Sequence, residues 1–303
     1  MFEPPNYAIV EGTEAAYLGF FPTQRRTPAP PGAVDLRVPV AGGVEIECRF
    51  HTGDPAGPNV LYFHGNGETV YDYDDIAPMF TTLGLNLFFS DFRGYGSSGG
   101  SPSFPTMLSD AHVILTAFLD LLETQGLAGP RFVMGRSMGG HSAVELAAHH
   151  PEQLSGLILE SSAPHIGRLL DYLKGAGDHE GAAKLLEQHL AKVRAISMPV
   201  LAIHGEWDDL IPMGRAVEFF NLLTMRDKRM ERVPQAGHND ILWAGPQQYL
   251  DAVVIEITPD LAITLDLGPN FYVKGRGLST RLAGQLVLTS STASRWRPAA
   301  WFI

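Results

Sequence analysis

The stretch Arg131-Phe132-Val133-Met134-Gly135-Arg136-Ser137-Met138-Gly139-Gly140 constrains the fold of this chain more than any other. A short apolar run leads into three glycines spaced around one serine, and a helical pattern follows to about His150. A strand that turns this sharply into a helix leaves its apex residue in a cramped backbone conformation. Glycine two positions to either side gives the room that a Cβ would take. The helix behind the turn aims its unpaired N–H groups and positive dipole end at the apex. Gly135-x-Ser137-x-Gly139 between strand and helix is therefore the spacing of a nucleophile elbow. In a chain with 32 glycines the bare pattern says little, so its surroundings decide what it means.

Those surroundings have a rhythm. Val60–Phe63, Leu85–Ser90, Leu154–Glu160, Val200–Gly205 and Met230–Pro234 read as strands, the longer apolar ones as strands buried on both faces. Between them lie helical patterns over 72–83, 103–125 (with Ser103 as cap), 213–224 and 240–254. Strands alternating with helices require crossover connections and a mostly parallel sheet. Upstream, Val34–Val40 and Val44–Phe50 alternate in hydrophobicity around Ala41-Gly42-Gly43, as an antiparallel hairpin at a sheet edge would. Residues 1–33, rich in proline and glycine, are expected to form an irregular arm with one short strand around Tyr7–Val10.

The domain proper is expected over 34–254. Two helical patterns in 162–195, around Gly175-Ala176-Gly177, interrupt the alternation and mark a small helical cap. Residues 255–303 leave the rhythm altogether. Their net charge is +2 against −11 for the whole chain, and they hold weak strand patterns at Leu261–Leu267, Phe271–Val273 and Leu286–Thr289. An added hairpin, an oligomerisation arm supporting a homo-oligomer, or sequence foreign to the domain all remain open for them.

Composition excludes some classes of function. A net charge of −11 and a pI of about 5.4 disfavour nucleic acid and anionic membrane surfaces. The single cysteine, Cys48, excludes a disulfide framework and argues against a cysteine-based zinc site. The N-terminus has neither a basic n-region nor an apolar h-region, and no run of about 18 apolar residues appears. We therefore expect no signal peptide, no membrane span and a cytoplasmic location. No metal is expected either: His149-His150 is the one tight pair, and neighbours on a helix face different ways.

A serine hydroxyl needs a base to become a nucleophile, and the base needs an acid to orient it. In an α/β sheet both belong at the carboxyl ends of strands. His238 follows the last strand in Gln235-Ala236-Gly237-His238-Asn239-Asp240, on a loop before a helix. Among 11 histidines it alone combines that loop, a preceding glycine and a late position. The acid is Asp208 or Asp209, after the strand Val200–Gly205, although either can also cap the next helix. The order Ser137, Asp208, His238 is the one expected of this arrangement. His64-Gly65-Asn66-Gly67 ends the first parallel strand, and the N–H groups of Asn66 and Met138 are candidates for an oxyanion hole. His64 itself reads as structural. Gly94-Tyr95-Gly96-Ser97-Ser98-Gly99 matches a dinucleotide-binding pattern, but Ser101-Pro102 separates it from the next helix, so no glycine packs at the helix start. Asp91 and Arg93 read instead as anchors of this loop.

Taken together, His64-Gly65-Asn66-Gly67, Asp91 to Ser98, Gly135 to Gly140, His204-Gly205-Glu206-Trp207-Asp208 and Gly237-His238 resemble the α/β-hydrolase superfamily, and within it the Bem46-like serine hydrolases. The resemblance spans about residues 35–254. It implies an α/β class: an α/β-hydrolase fold with a mostly parallel eight-stranded sheet flanked by helices. It also implies a Ser137–His238–Asp208 triad, with Asp208 rather than Asp209 as the acid, and an oxyanion hole at Asn66 and Met138. The reaction implied is hydrolysis of esters, thioesters or amides of a small-molecule acyl substrate without a cofactor. A carboxylesterase for short to medium acyl chains is the first expectation, and a thioesterase or amide hydrolase the second. A binding protein on a hydrolase fold with its chemistry lost is a third.

Overall fold

A computed structural model describes residues 2–17, 19–257, 263–266 and 272–275. The chain opens with a 3-10 turn at Tyr7–Val10 and a short helix α1 (Glu14–Tyr17), then forms β1 (Ala33–Val40), β2 (Val44–His51) and β3 (Asn59–Phe63). There follow α2 (Ala77–Thr81), β4 (Asn86–Ser90), α3 (Phe104–Gln125), β5 (Arg131–Arg136), α4 (Gly140–His149) and β6 (Gly156–Glu160). The helices α5 (Gly167–Gly175) and α6 (His179–Ala195) lead to β7 (Val200–Gly205), α7 (Met213–Leu222), β8 (Lys228–Val233), α8 (Ile241–Ala244) and α9 (Pro246–Ile257). The strands β9 (Ile263–Asp266) and β10 (Tyr272–Gly275) come last.

Eight strands form one sheet in the order β1-β2-β4-β3-β5-β6-β7-β8. β2 pairs antiparallel with β1 and with β4, and every other pairing is parallel. The expected eight-stranded, mostly parallel sheet with a hairpin at its edge is what the chain builds. Side chains alternate along each central strand, so each strand feeds two cores. Leu61, Phe63, Val133, Leu157 and Leu159 join the core beneath α3 and α4, while Val60, Tyr62, Met134, Ile158 and Leu201 join the one beneath α2 and α9. That double burial is why the strands read as unbroken apolar runs.

α3 starts where Ser103 accepts a hydrogen bond from the Thr106 N–H at 3.2 Å. It is also the one helix among the described residues long and apolar enough to cross a membrane, although polar residues such as Ser109, Asp110 and Asp120 break its apolar run. Here it packs on the sheet through Met107, Ile114, Leu115 and Phe118. Its Asp110 takes both ends of the Arg93 guanidinium at 2.6 and 2.8 Å, which ties the 91–99 loop down.

Three local expectations are corrected. Tyr7–Val10 is a 3-10 turn, not a strand: no strand among the described residues pairs with it, and Thr13 Oγ1 bonds back to the Val10 carbonyl at 2.6 Å. A four-residue apolar run carries too little periodicity to tell these apart. The helix expected over 72–83 is instead a 3-10 turn at Val70–Tyr73 followed by α2. Thr69 and Asp72 close a capping box on that turn, and Pro78 suits only the first turn of a new helix. Pro246 likewise divides the helix expected over 240–254 into α8 and α9. In the C-terminal region β9 and β10 pair antiparallel apart from the main sheet; the pattern at Leu286–Thr289 lies outside the described residues.

The N-terminal arm is more integral than its composition suggests. Tyr7, Val10, Ala15 and Ala16 are buried. α6 reaches them through a polar chain: Lys192 Nζ donates to the Tyr7 hydroxyl (2.7 Å), which donates to His189 Nδ1 (2.8 Å), and His189 Nε2–H donates to the Pro164 carbonyl (3.2 Å). Lys192 also pairs with Glu145 of α4 at 2.6 Å. α5 and α6 therefore turn much of their apolar and polar inner face to α4 and the arm.

Burial, reinforced by the Lys192 charge, pushes His189 down to about 3. A histidine whose folded pKa lies below its unfolded value of 6.5 contributes stability that is present above pH 6.5 and lost as the pH falls from there toward 3. The slope for one such proton is about 1.4 kcal/mol per pH unit. Glu145, held at about 2 against burial by His112 and Lys192, adds its own loss only below pH 4.5. Urea unfolding at pH 7 and pH 5 should show lower stability at pH 5, and His189→Gln should remove about one proton's worth of that difference. An unchanged difference in the variant would count against this account.

The same region corrects the expectation for His149 and His150. Packing of α3 on α4 brings His112 Nδ1 to 2.8 Å from His150 Nε2, and puts donor atoms of His112, Glu145 and His149 within 4.8 Å of one another. The group is satisfied from within: Lys192 takes one Glu145 oxygen and His149 Nδ1–H donates to the Glu145 carbonyl at 2.8 Å.

Candidate active site

The C-terminal ends of β3, β5, β7 and β8 converge on one edge of the sheet, and each delivers one part of the site. β5 ends at Arg136, and Ser137 follows with φ of 50°, a backbone conformation that side-chain-bearing residues seldom hold. The strain persists because the surroundings leave no alternative. A Cβ on Gly135 would lie 2.5 Å from the Gly139 carbonyl oxygen, and one on Gly139 would lie 2.1 Å from the Phe63 carbonyl oxygen. The turn closes on itself and against β3 at van der Waals limits. Ser162 Oγ, just past β6, donates to the Ser137 carbonyl at 2.6 Å and pins the apex from the other side.

The structure brings His238 and Asp208, the two residues expected to act with the elbow serine, to Ser137. His238 Nε2 lies 2.9 Å from Ser137 Oγ, and His238 Nδ1 lies 2.8 Å from Asp208 Oδ2. His238 and Asp208 are buried, while Ser137 is half-buried. The other Asp208 oxygen, Oδ1, accepts the N–H groups of Leu210 (3.0 Å) and Ile211 (2.7 Å). Burial alone would push the Asp208 carboxyl up. Hydrogen bonds from His238 and Ile211, with the charges of His238 and His204, outweigh it and hold it below the usual carboxylate range. Asp209, the open alternative, is exposed. The imidazole is thus fixed with Nδ1–H donating to a carboxylate and Nε2 free to accept from the serine.

The two proposed oxyanion donors lie at the ends of neighbouring strands, where Phe63 of β3 pairs with Gly135 of β5. Met138 follows the apex at a helix start, where N–H groups lack intrahelical partners. Asn66 sits in the turn after β3, and its side chain is tied down: Oδ1 accepts from the Phe21 N–H (2.9 Å) and the Tyr95 hydroxyl (2.5 Å), and Nδ2 donates to the Gly19 carbonyl (2.5 Å). His64 is fully buried, with Nδ1 donating to the Gly65 carbonyl at 2.7 Å, in keeping with a structural role.

Several contributors to the site carry no motif. Residues 19–25 cross over the loops after β3 and β4, with Thr23 bonded to Gly67 and Gly96, and Gln24 to Gly94. Arg136, at a variable position of the elbow pattern, is buried and bonded to Glu68, Glu160, Asn239 and the His238 carbonyl. No periodicity announces a charged residue inside, since buried charge is found where a partner happens to fold next to it.

A family profile described as serine aminopeptidase, S33, matches residues 54–177. The bem46 protein of Schizosaccharomyces pombe is 31% identical over 188 residues, which are 60% of this chain and 62% of that protein. Over these stretches the chain is similar to members of the α/β-hydrolase superfamily, and it spans less than two thirds of the bem46 protein. The Arabidopsis thaliana α/β hydrolase domain-containing protein WAV2 is 28% identical to this chain over 235 residues, 71% of this chain and 75% of that protein. Among solved structures, a Pyrococcus furiosus esterase superposes with a TM-score of 0.62 at 17% identity, covering 80% of this chain and 98% of its own, a likeness of fold.

Proposed function

We propose that this hydrolase cleaves carboxylic esters through an acyl-enzyme on Ser137. The observation that carries the proposal is the continuous chain from Asp208 Oδ2 to His238 Nδ1 (2.8 Å) and from His238 Nε2 to Ser137 Oγ (2.9 Å), at a strained apex. His238 takes the hydroxyl proton as Ser137 attacks the acyl carbon. The N–H groups of Asn66 and Met138 receive the developing oxyanion. His238 then protonates the leaving alcohol, activates a water and returns to its starting state as the acid departs, while Asp208 holds its tautomer and stabilises its charged form.

Exposed apolar side chains at Trp207 and Leu210, which flank Asp208 in sequence, and at Phe21, beside the Asn66 turn, favour an apolar acyl group over a charged one. A cap of two helices, already packed on α4 and the arm, favours short to medium chains. Hydrolysis of p-nitrophenyl esters of two to sixteen carbons should peak at short or medium length, and Ser137→Ala should abolish turnover. A maximum at long chains would contradict the chain-length proposal. The matched family's description, serine aminopeptidase, favours a second reading in which the same array cleaves amides. Faster turnover of aminoacyl anilides or acyl-CoA than of aryl esters would select an amide or thioester substrate instead.

A further inference from the structure

We propose that Arg136 is a positioning residue: its guanidinium holds the His238 loop and, through Glu68, the Gly65–Asn66 turn in one frame with the Ser137 elbow. The proposal rests on the serine-hydrolase reading above and adds to it the device that keeps three separate loops in register.

Arg136 is only 8% exposed, yet each arm of its fork is engaged. Nη2 donates to the His238 carbonyl (3.2 Å) and to Asn239 Oδ1 (2.8 Å). Nη1 pairs with Glu68 Oε1, and Nε faces Glu160 Oε1 at 3.3 Å. The second oxygen of Glu68 accepts the Gly65 N–H (2.7 Å), one peptide before the Asn66 N–H, and the Tyr73 hydroxyl (2.7 Å). The second oxygen of Glu160 accepts the hydroxyls of Tyr62 (3.0 Å) and Tyr249 (2.7 Å). One planar group at the base of the elbow thus reaches the main chain of the base and, through one carboxylate, the main chain of the oxyanion turn.

An independent observation points the same way. A Cβ on Gly65 would lie 2.5 Å from Arg136 Nη1 and 2.9 Å from Glu68 Oε2. The turn after β3 accepts no side chain there because the guanidinium and its partner already fill the space. The pair is also an unpromising way to gain stability, because burying ions costs most of what their attraction returns. What it does supply is direction, since a planar guanidinium with fixed N–H directions sets the angles between its partners as well as their distances. A lysine ammonium has the charge but cannot reach four acceptors lying in different directions.

The test uses the full chain with two variants. Arg136→Lys keeps the charge and loses the fork; the pair Arg136→Met with Glu68→Gln removes one charge of each sign and leaves Glu160 with the hydroxyls of Tyr62 and Tyr249. Melting temperature, the rate at which a fluorophosphonate labels Ser137, and kcat and KM for an aryl ester are measured well below the melting transition. Misplaced loops should lower the labelling rate and kcat by about 10–100-fold while KM moves by less than about threefold. A purely structural arginine would lower the melting temperature and leave both rates alone. A folded variant of either kind with wild-type kcat and labelling, or a loss confined to KM, overturns the proposal. Wild-type protein that neither labels nor turns over ester defeats the serine-hydrolase reading and this proposal with it. Wild-type protein that labels, alongside variants that label equally fast, defeats this proposal alone.

Discussion

Asp208→Asn should lower kcat by on the order of 10⁴-fold with the fold intact. The reason lies in how the two carboxylate oxygens are used. Oδ1 accepts two backbone N–H groups, from Leu210 and Ile211, so an asparagine is compelled to put its carbonyl there. Its NH₂ then faces His238 Nδ1, where Asp208 Oδ2 now accepts. Two donors cannot meet, so the imidazole turns Nδ1 into the acceptor and carries its proton on Nε2, the atom 2.9 Å from Ser137 Oγ. The base then has no lone pair for the serine. Circular dichroism and melting should change little, because the loop's backbone bonds survive. Near-wild-type turnover would place the acid elsewhere. Asp209, though, is exposed, and Glu160 is committed to Arg136, Tyr62 and Tyr249.

Gly139→Ala should lower stability by about 3 kcal/mol, the upper end of overpacking costs, and the melting temperature by roughly 10 °C. The added methyl meets the Phe63 carbonyl oxygen at 2.1 Å, its carbon at 2.6 Å and the His64 carbonyl oxygen at 2.7 Å. All three are backbone atoms of β3 and the turn behind it, so no side chain can swing aside. Either the elbow lifts away from β3 or β3 yields, and both separate Met138 from Asn66. Activity should therefore fall even where the protein is fully folded. Gly214→Ala is the control: nothing lies within 4 Å of the added atom, which sits on α7. There alanine should be neutral or stabilising by up to about 1 kcal/mol. Equal stability of the two variants would mean that the elbow is looser than its contacts indicate.

The parts of this site legible in the sequence are those where the chemistry demands a residue type at a strand end. Ser137 needed its glycines, His238 a loop after the last strand, and Asn66 a turn after the first parallel strand. Doubly buried strands gave apolar runs too strong to mistake. Asp208 was separable from Asp209 only by resemblance, since both suit a helix start; in the structure the choice follows from which one is buried against His238. Arg136 and Glu68 lie 68 residues apart, and only the parallel pairing of β3 with β5 makes them neighbours. The arm reads as irregular because proline and glycine hide the few buried anchors, Tyr7, Val10, Ala15 and Ala16, that dock it. The broken helices at Pro78 and Pro246 show the reverse case, in which helical periodicity persists across a boundary that the backbone cannot cross.

The most direct test of the central claim is covalent labelling of the folded protein with a fluorophosphonate, followed by peptide mass mapping, in the wild type and in Ser137→Ala. The account predicts a single adduct on the peptide containing Ser137, no adduct in the variant, and loss of ester turnover in step with labelling. An adduct on another residue, or ester turnover that survives in Ser137→Ala, would contradict it.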